Sequence, residues 1–294
     1  MRERLATMCD IVERHAVEER QPTPVEGLTL FRMRTSLHPL HVLYYPRLCI
    51  ILHGSKSVSL GDAAFDIDPR TFFLVAADLP VASRVFVASD GRPHLALTLD
   101  LDRVVLAQVL RHLPARAVPG LPPAGLVTAP MRLELLEPLG RLLALLDRPD
   151  ELDFLRPLIL QELYFHLLRS PLGDTLVQFA MGGSRLSQIG RATDWIKARY
   201  AEPVSIEALA ELAGMSVTSF HRHFKAVTLM TPLQYRTQIR LQEARRLLLA
   251  ERLSAGAAGL AVGYDSQSQF SRDYKRMFGT PPASDTARLV AAQA

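Results

Sequence analysis

The sequence predicts an α+β chain: a small antiparallel β-barrel with flanking helices, followed by an all-α part in which two helix-turn-helix units are joined by a linker helix. Three observations predict this. Between about 25 and 100, short runs rich in Val, Leu, Phe and Thr alternate with turn signals. Two leucine-rich stretches follow, near 131–147 and 152–169. In the last hundred residues a pattern repeats at an offset of 50, Phe220–Lys225 against Phe270–Lys275.

The chain has 294 residues, 48% hydrophobic and 22% charged, enough for two domains with real cores. Residues 1–20 place Leu5, Met8, Ile11, Val12 and His15 near one face of a helix, and charges interrupt any signal-like apolar run. No stretch approaches the ~18 uninterrupted apolar residues of a membrane span, so no membrane partner is expected. Cys9 and Cys49 are too few for a disulfide framework and have no metal-ligand spacing, which fits a reducing cytoplasm. Cys49 falls on a strand predicted at Leu48–Leu52, where inert core is favoured over an electrophile or redox sensor.

The strand candidates are LCIILHG, KSVSLGD, AAFDID, TFFLVA, SRVFVA and HLALTLD, separated by His53-Gly54-Ser55, Gly61-Asp62, Asp68-Pro69 and Asp90-Gly91. Their spacing of ~8–12 residues suits a small barrel or sandwich. Residues 114–130 carry Pro114, Pro119, Pro122, Pro123 and Pro130 and are read as a loop. The two leucine-rich helices are more apolar than one solvent-facing helix needs; they cover the barrel, form a dimer interface, or both. Gly182-Gly183-Ser184 marks a boundary. The domains expected are therefore 1–129, 130–183 and 184–294.

Charge is unevenly distributed. Residues 181–294 hold 15 Lys+Arg against 9 Asp+Glu, a net of +6, whereas residues 1–180 are net −2. The basic part is the candidate for a polyanion partner.

The repeat gives this charge a geometry. In the first unit, about 205–228, Ser205 caps a helix that presents Ile206, Leu209, Ala210 and Ala213 at helical spacing. Gly214 supplies the tight turn, and Val217, Phe220 and Phe224 form the buried stripe of the next helix. Thr218, His221, Arg222 and Lys225 then project from the opposite face, as on a helix entering the major groove. Arg222 suits a guanine edge, Thr218 and His221 neighbouring bases, and Lys225 phosphate. In the second unit, about 254–278, Gly263 makes the turn and Phe270, Tyr274, Met277 and Phe278 the buried stripe. Ser268, Ser271, Arg272 and Lys275 face outward. A lone polar helix face is explained by solvation; two copies sharing buried aromatics and outward Arg and Lys are not. The joining helix, Pro232 to about Glu251, carries Leu241, Ala244 and Leu248 as its stripe and spans ~27 Å, near the ~34 Å between successive major-groove faces.

SIEALAELAGMS, FHRHFK, PLQY…RLQEARRLL and AVGYDSQSQFSRDYKRMFGTPP resemble the DNA-binding domain of the AraC/XylS family of bacterial regulators, from about Ser187 to Pro282. PRLCIILHGSKSVSLGD and LPVASRVFVASDGRPHLALTLDLD are similar to the cupin-like sensor domain of one AraC-type subgroup, and LILQELYFHLLRSP…RLSQIGRATDWIKARYAEPVSIE to its helical connection. The resemblance implies a sequence-specific transcription activator working on double-stranded DNA with RNA polymerase. It further implies a small-molecule effector in the barrel, of unknown identity and contacts, and a homodimer. It implies base contacts from Thr218, His221 and Arg222 in the first unit and Gln267, Ser268, Ser271 and Arg272 in the second; Gln267 enters on the resemblance alone. Two departures stand out. Leu229 replaces the glycine expected after the first recognition helix, which requires an unfavourable backbone or a different helix end, at about 1 kcal/mol. Gly256 and Gly259 weaken the opening helix of the second unit by roughly 2 kcal/mol, making that unit the more mobile.

Two other classes compete. A cupin-type metal enzyme would use His38, His41, His53 and His94, but no His-x-His pair with a following Glu and no nucleophile motif is present, so no enzyme, metal or cofactor is expected. An effector-independent DNA binder would show weak sequence preference and no small-molecule response.

Overall fold

The apolar runs of the N-terminal part pair into two antiparallel sheets. The computed structural model describes residues 1–36, 39–114 and 122–293, with side chains to 288. The chain divides into two units, 1–190 with 226–229 and 191–225 with 230–294.

In the first unit, α1 (Arg2–His15) buries Met8, Cys9, Ile11 and Val12. Its basic C-terminal turn reaches Asp147: Arg14 donates two bonds of 2.9 Å, and His15 Nε2 lies 2.8 Å away. The strands are β1 (Arg20–Pro22), β2 (Leu28–Met33), β3 (Leu40–Tyr44), β4 (Arg47–His53), β5 (Ser55–Leu60), β6 (Ala63–Ile67), β7 (Thr71–Val75), β8 (Leu79–Phe86), β9 (His94–Asp100) and β10 (Leu126–Pro130). One sheet runs β1-β2-β9-β4-β7-β10 and the other β3-β8-β5-β6. The α+β class and all six strand candidates are present, but among the described residues the sheets are open and do not close into the expected barrel. Burial explains why the β4 run LCIIL is apolar without alternation. It lies between β9 and β7, and α1 packs against β2, β4 and β9.

The proline-rich stretch read as loop contains a strand. β10 pairs with β7 from Leu126↔Val75 to Pro130↔Thr71. Proline is tolerated there because β10 is an edge strand and Pro130 its last residue. Pro119 lies outside the described residues. Nor did periodicity expose α2 (Arg103–Leu110), a short helix whose N-terminal amides of Val104 and Val105 donate to the Asp102 carboxylate.

The leucine-rich stretches form α3 (Leu133–Ala144) and α4 (Leu152–Leu168), joined through two 3-10 turns at Leu145–Asp147 and Pro149–Glu151. They pack on each other, with Leu135, Leu136, Leu139, Leu142 and Leu143 buried from the first and Ile159, Leu160, Leu163, Tyr164 and Leu167 from the second. The start of α4 is different: Phe154 is 75% exposed and Leu158, one turn later, 50%. α5 (Gly173–Ala180) follows, and α6 (Arg185–Ala198) runs from the first unit into the second.

The second unit continues with α7 (Ile206–Leu212), α8 (Val217–Thr228), α9 (Pro232–Ala250), α10 (Ala255–Ala261), α11 (Gln267–Phe278) and α12 (Pro282–Gln293). α9 is the expected linker helix. Thr231 and Gln234 close a reciprocal capping box at its start, Pro232 occupies the first turn, and Leu241, Ala244, Leu247 and Leu248 are buried. Its 19 residues correspond to ~28 Å. Among the described residues, no helix is long and apolar enough to cross a membrane.

Candidate nucleic-acid interface

The two repeats fold into the same local device. Ser205 and Ser254 each cap the opening helix by accepting from the amide three residues on, Ala208 at 3.1 Å and Ala257 at 3.2 Å. Each opening helix then ends in matching turns. Gly214 N–H donates to Glu211 O and Met215 N–H to Ala210 O; Gly263 N–H donates to Leu260 O and Tyr264 N–H to Gly259 O. These pairs satisfy carbonyls that a helix end leaves open, and they need a left-handed residue between them. Gly214 (φ 66°) and Gly263 (φ 84°) provide it. The following helices are capped alike, Ser216 accepting from Ser219 N–H and Ser266 from Gln269 N–H.

Aromatic rings hold each second helix. Phe220 and Phe224 are fully buried, with centroids 5.4 Å apart, and Phe224 meets Tyr235 of α9 edge-on at 5.7 Å. In the second unit Tyr264, Phe270 and Tyr274 repeat the motif at 5.4 and 5.6 Å within a core completed by Leu241, Ala244, Leu248, Ala258 and Val262. Val217 departs from expectation: it is 38% exposed, because it opens α8, ahead of the turn where the buried stripe begins. Met277 and Phe278 are only partly buried.

The opposite faces are open. Thr218, His221, Arg222 and Lys225 are exposed on α8, and Gln267, Ser268, Arg272 and Lys275 on α11, with Ser271 half-buried. Among the described residues, the side chains of Arg222, Lys225, Arg272 and Lys275 have neither a hydrogen bond nor an ion pair. Gln267 sits at the side of the helix, where a Cβ on Gly256 of α10 would lie 3.7 Å from its amide nitrogen.

The two copies differ in support. Leu229, just past α8, takes φ 56°, whereas the corresponding Gly279 takes φ 76°. Of the two alternatives for Leu229, the structure adopts the left-handed backbone, a conformation that disfavours a side chain. His223 is buried and bonds Ser219 O through Nδ1 at 2.7 Å, while the matching Asp273 accepts from the Tyr264 hydroxyl at 3.3 Å. Sequence reading missed Arg240. It lies on the linker helix, donates to Val262 O and Gly263 O at the second turn, and stacks on Tyr264 at 4.8 Å. Its position among the many basic residues of α9 gave no separate signal. Burial lowers its pKa, the partial desolvation that direct carbonyl contacts offset.

The remaining chemistry is quiet. Cys9 and Cys49 are free and buried, and burial pushes their thiols up to about 11 and about 12, far from a reactive thiolate. His53 pairs with Asp90 at 3.2 Å, and burial with the nearby Lys56 charge pushes His94 down to about 4. Among the described residues, no group of three or more His, Cys, Asp or Glu is placed to hold a metal; His38 lies outside them.

Two matched turns, two ring-buttressed helices with open basic faces and one connecting helix define a double helix-turn-helix protein. The family model for the AraC-type transcriptional regulator N-terminus matches residues 24–175, and that for a helix-turn-helix domain matches 209–288. The chain belongs to the AraC family of transcriptional regulators. It is 28% identical over 156 residues to the HTH-type transcriptional activator RhaS of Yersinia pestis, covering 53% of this chain and 57% of that one. To RhaS of Pectobacterium carotovorum it is 29% identical over 124 residues, 42% and 44% of the two chains. The matched stretch thus spans about half the length of these relatives. The fold is that of ToxT from Vibrio cholerae, solved with a bound unsaturated fatty acid: TM-score 0.55 at 11% identity, covering 88% of this chain and 94% of that one.

Proposed function

We propose that the chain is a cytoplasmic, sequence-specific transcription activator that binds double-stranded DNA through α8 and α11 and answers to a small molecule held by the N-terminal sheets. The observation that carries this reading is the duplicated device: the same caps, the same glycine turn and the same buried rings present an unpartnered Arg and Lys twice. Arg222 and Arg272 meet guanine edges, Thr218, His221, Gln267, Ser268 and Ser271 read neighbouring bases, and Lys225 and Lys275 hold phosphates. Membership of the family and the activator relatives support the DNA-binding role. The fatty acid in ToxT supports an effector site in the first unit. The exposed Phe154 and Leu158 on α4 supply an apolar patch for a homodimer, and RNA polymerase is the partner an activator requires. Residues 1–129 serve as the effector domain, 130–183 as the dimerising connection and 184–294 as the reading domain. The chain is no enzyme on this reading and uses neither metal nor cofactor.

The test is selection of a binding site from random duplexes with the full chain, followed by titration at several salt concentrations. Affinity falls as salt rises, because each phosphate contact releases counterions. Arg222→Ala and Arg272→Ala each cost ~1–3 kcal/mol on the selected site and relax base preference at separate positions; Lys225→Ala and Lys275→Ala weaken all sequences alike and flatten the salt slope. Normal binding and discrimination by both arginine variants would refute the assignment.

A further inference from the structure

The linker helix α9 belongs to both helix-turn-helix cores. Its Tyr235 meets Phe224 of the first unit edge-on at 5.7 Å, while its Leu241, Ala244 and Leu248 are buried with Phe270 and Tyr274 of the second. Arg236 and Arg240 stand beside these contacts, one turn apart and therefore on one side of the helix. Arg236 donates to the carbonyls of Tyr200, at 2.9 Å, and Glu202, in the segment that leads from α6 into α7. Arg240 donates to the carbonyls of Val262 and Gly263, at the turn between α10 and α11. The two anchored segments also meet directly. The Gly263 backbone lies so close to the Ala201 carbonyl that a Cβ there would overlap it, and Tyr200 packs on the core of the second unit. All these residues fall within one compact part of the chain, 191–225 with 230–294.

Basic residues on a linker helix are ordinarily explained by attraction to phosphates, which needs exposed and unengaged cations. Arg236 and Arg240 are neither. Both are half-buried, both commit their guanidinium donors to main-chain oxygens, and among the described residues neither has an ion pair. Burial lowers both pKa values, and the Arg240 charge lowers that of Arg236 further. Two like charges side by side without a carboxylate are unfavourable, so the arrangement needs a return. The return is geometric. A planar guanidinium holds two carbonyls at once in a fixed fork, which sets the angle between helix and loop as well as their distance.

Resting on the reading that α8 and α11 enter DNA, we infer that Arg236 and Arg240 are positioning residues: they clamp the two helix-turn-helix units into one rigid reader and so fix the spacing of the two groove segments that it reads. Apolar packing on α9 is non-directional and resists separation of the units better than their rotation about the helix. The paired forks resist the rotation.

The test uses the site that the full chain selects from random duplexes, remade with one base pair inserted between its two recognised segments. The insertion shifts the second segment by ~3.4 Å along the duplex and ~35° around it. The parent binds the inserted site ~10- to 100-fold more weakly, the worth of one unit's base contacts. Arg236→Lys with Arg240→Lys keeps both charges and loses the forks, and the penalty for the insertion falls below ~3-fold. Circular dichroism and a single cooperative melt establish that this double variant is folded; Arg236→Lys alone, which frees only the first unit's segment, gives the same change in smaller degree. A second reading needs no DNA. Spin labels on Glu211→Cys in α7 and Gln269→Cys in α11, both exposed positions, report one narrow distance in the parent and a broadened distribution in the double variant; Cys9 and Cys49 are buried and leave the introduced thiols to react. A parent indifferent to the insertion, a penalty that the double variant retains, or a distance equally narrow in both proteins overturns the clamp. A selected site with a single recognised segment, together with a distance that broadens in the double variant, leaves the clamp standing and overturns the reading of α8 and α11 as a pair of base-contacting helices.

Discussion

Asp285 joins three helices of the reading domain, and its removal should unlock the second unit. Its side chain is fully buried. Arg245 of α9 donates two bonds to it, of 2.9 and 3.2 Å, Tyr274 of α11 donates its hydroxyl at 2.9 Å, and Arg288 of α12 adds a fourth at 2.9 Å. Arg245 is itself only 15% exposed. Asp285→Asn keeps the shape but removes the charge and points an amide donor at donors. Breaking a largely buried pair from one side costs ~3–5 kcal/mol, because the remaining charge is left uncompensated. For a unit of about a hundred residues that corresponds to a melting shift of roughly 12 °C or more. Tyr274→Phe, which removes one hydroxyl, should cost ~0.5–1.5 kcal/mol. Acid provides an independent check. Burial acts to raise the Asp285 pKa, but the bonds from Arg245 and Tyr274 and the Arg245 charge hold it below its ordinary value. A depressed carboxylate contributes stability that is present above its unfolded value, ~3.9, and is lost as pH falls through the lower folded value. The parent should therefore lose stability in that acid window, and Asp285→Asn should lack this component. Calorimetry of the full chain at pH 7 and along an acid series reads both effects. A variant melting within about 3 °C of the parent at pH 7 would refute the claim that this network docks α12 on α11.

The turn glycines should not be equivalent. Gly214→Ala meets no atom within 4 Å and bears only the left-handed backbone, ~1–2 kcal/mol, whereas a Cβ on Gly263 would overlap the Ala201 carbonyl oxygen and the Arg240 guanidinium, for roughly 2–5 kcal/mol. Denaturant midpoints rank the two, and equal losses would remove the special role given to the Arg240 contact. The helix glycines should also separate. Gly256→Ala has ordinary room beside Gln267 and should stabilise by ~0.5–1 kcal/mol. Gly259→Ala should gain less or lose, because its Cβ would lie 3.0 Å from the buried Phe270 ring. Hydrogen exchange on the free chain should show weaker protection in α10 than in α7, with Gly256→Ala narrowing the gap; equal protection in the parent would end the proposal that the second unit is the more mobile.

The strands and the repeat were readable because their signals are local. Alternating runs closed by Asp-Pro or His-Gly-Ser, and Gly214 and Gly263 placed at the ends of two short helices, each report a backbone requirement within a few residues. What sequence missed depends on distant partners. β10 is a strand only because β7 leaves an edge for it, and its prolines masked that. α2 is short and stands on one aspartate cap. The openness of the sheets is a property of which strands pair, on which composition is silent. Arg240 and Asp285 gain meaning from carbonyls and side chains 22 and 40 residues away.

Comparison of the two units separates what the fold conserves from what it varies. Both retain the Ser caps, the paired turn bonds, the small residue at the helix crossing (Ala210 or Gly259), and the exposed Arg and Lys one turn apart. The means of support differ. The first copy ends its second helix on a strained Leu229 and fills its interior with His223 bonded back to Ser219. The second ends on Gly279 and rests on the Asp285 network beneath, while both place an arginine of the preceding helix on carbonyls at the turn, Arg191 on Leu212 O and Arg240 on Val262 O and Gly263 O. If the outward faces were merely solvated, nothing would hold their chemistry constant while the buried supports diverged. A matched outer face over unmatched scaffolding is expected when both faces meet one regular partner, and a duplex that presents its groove afresh every turn is such a partner.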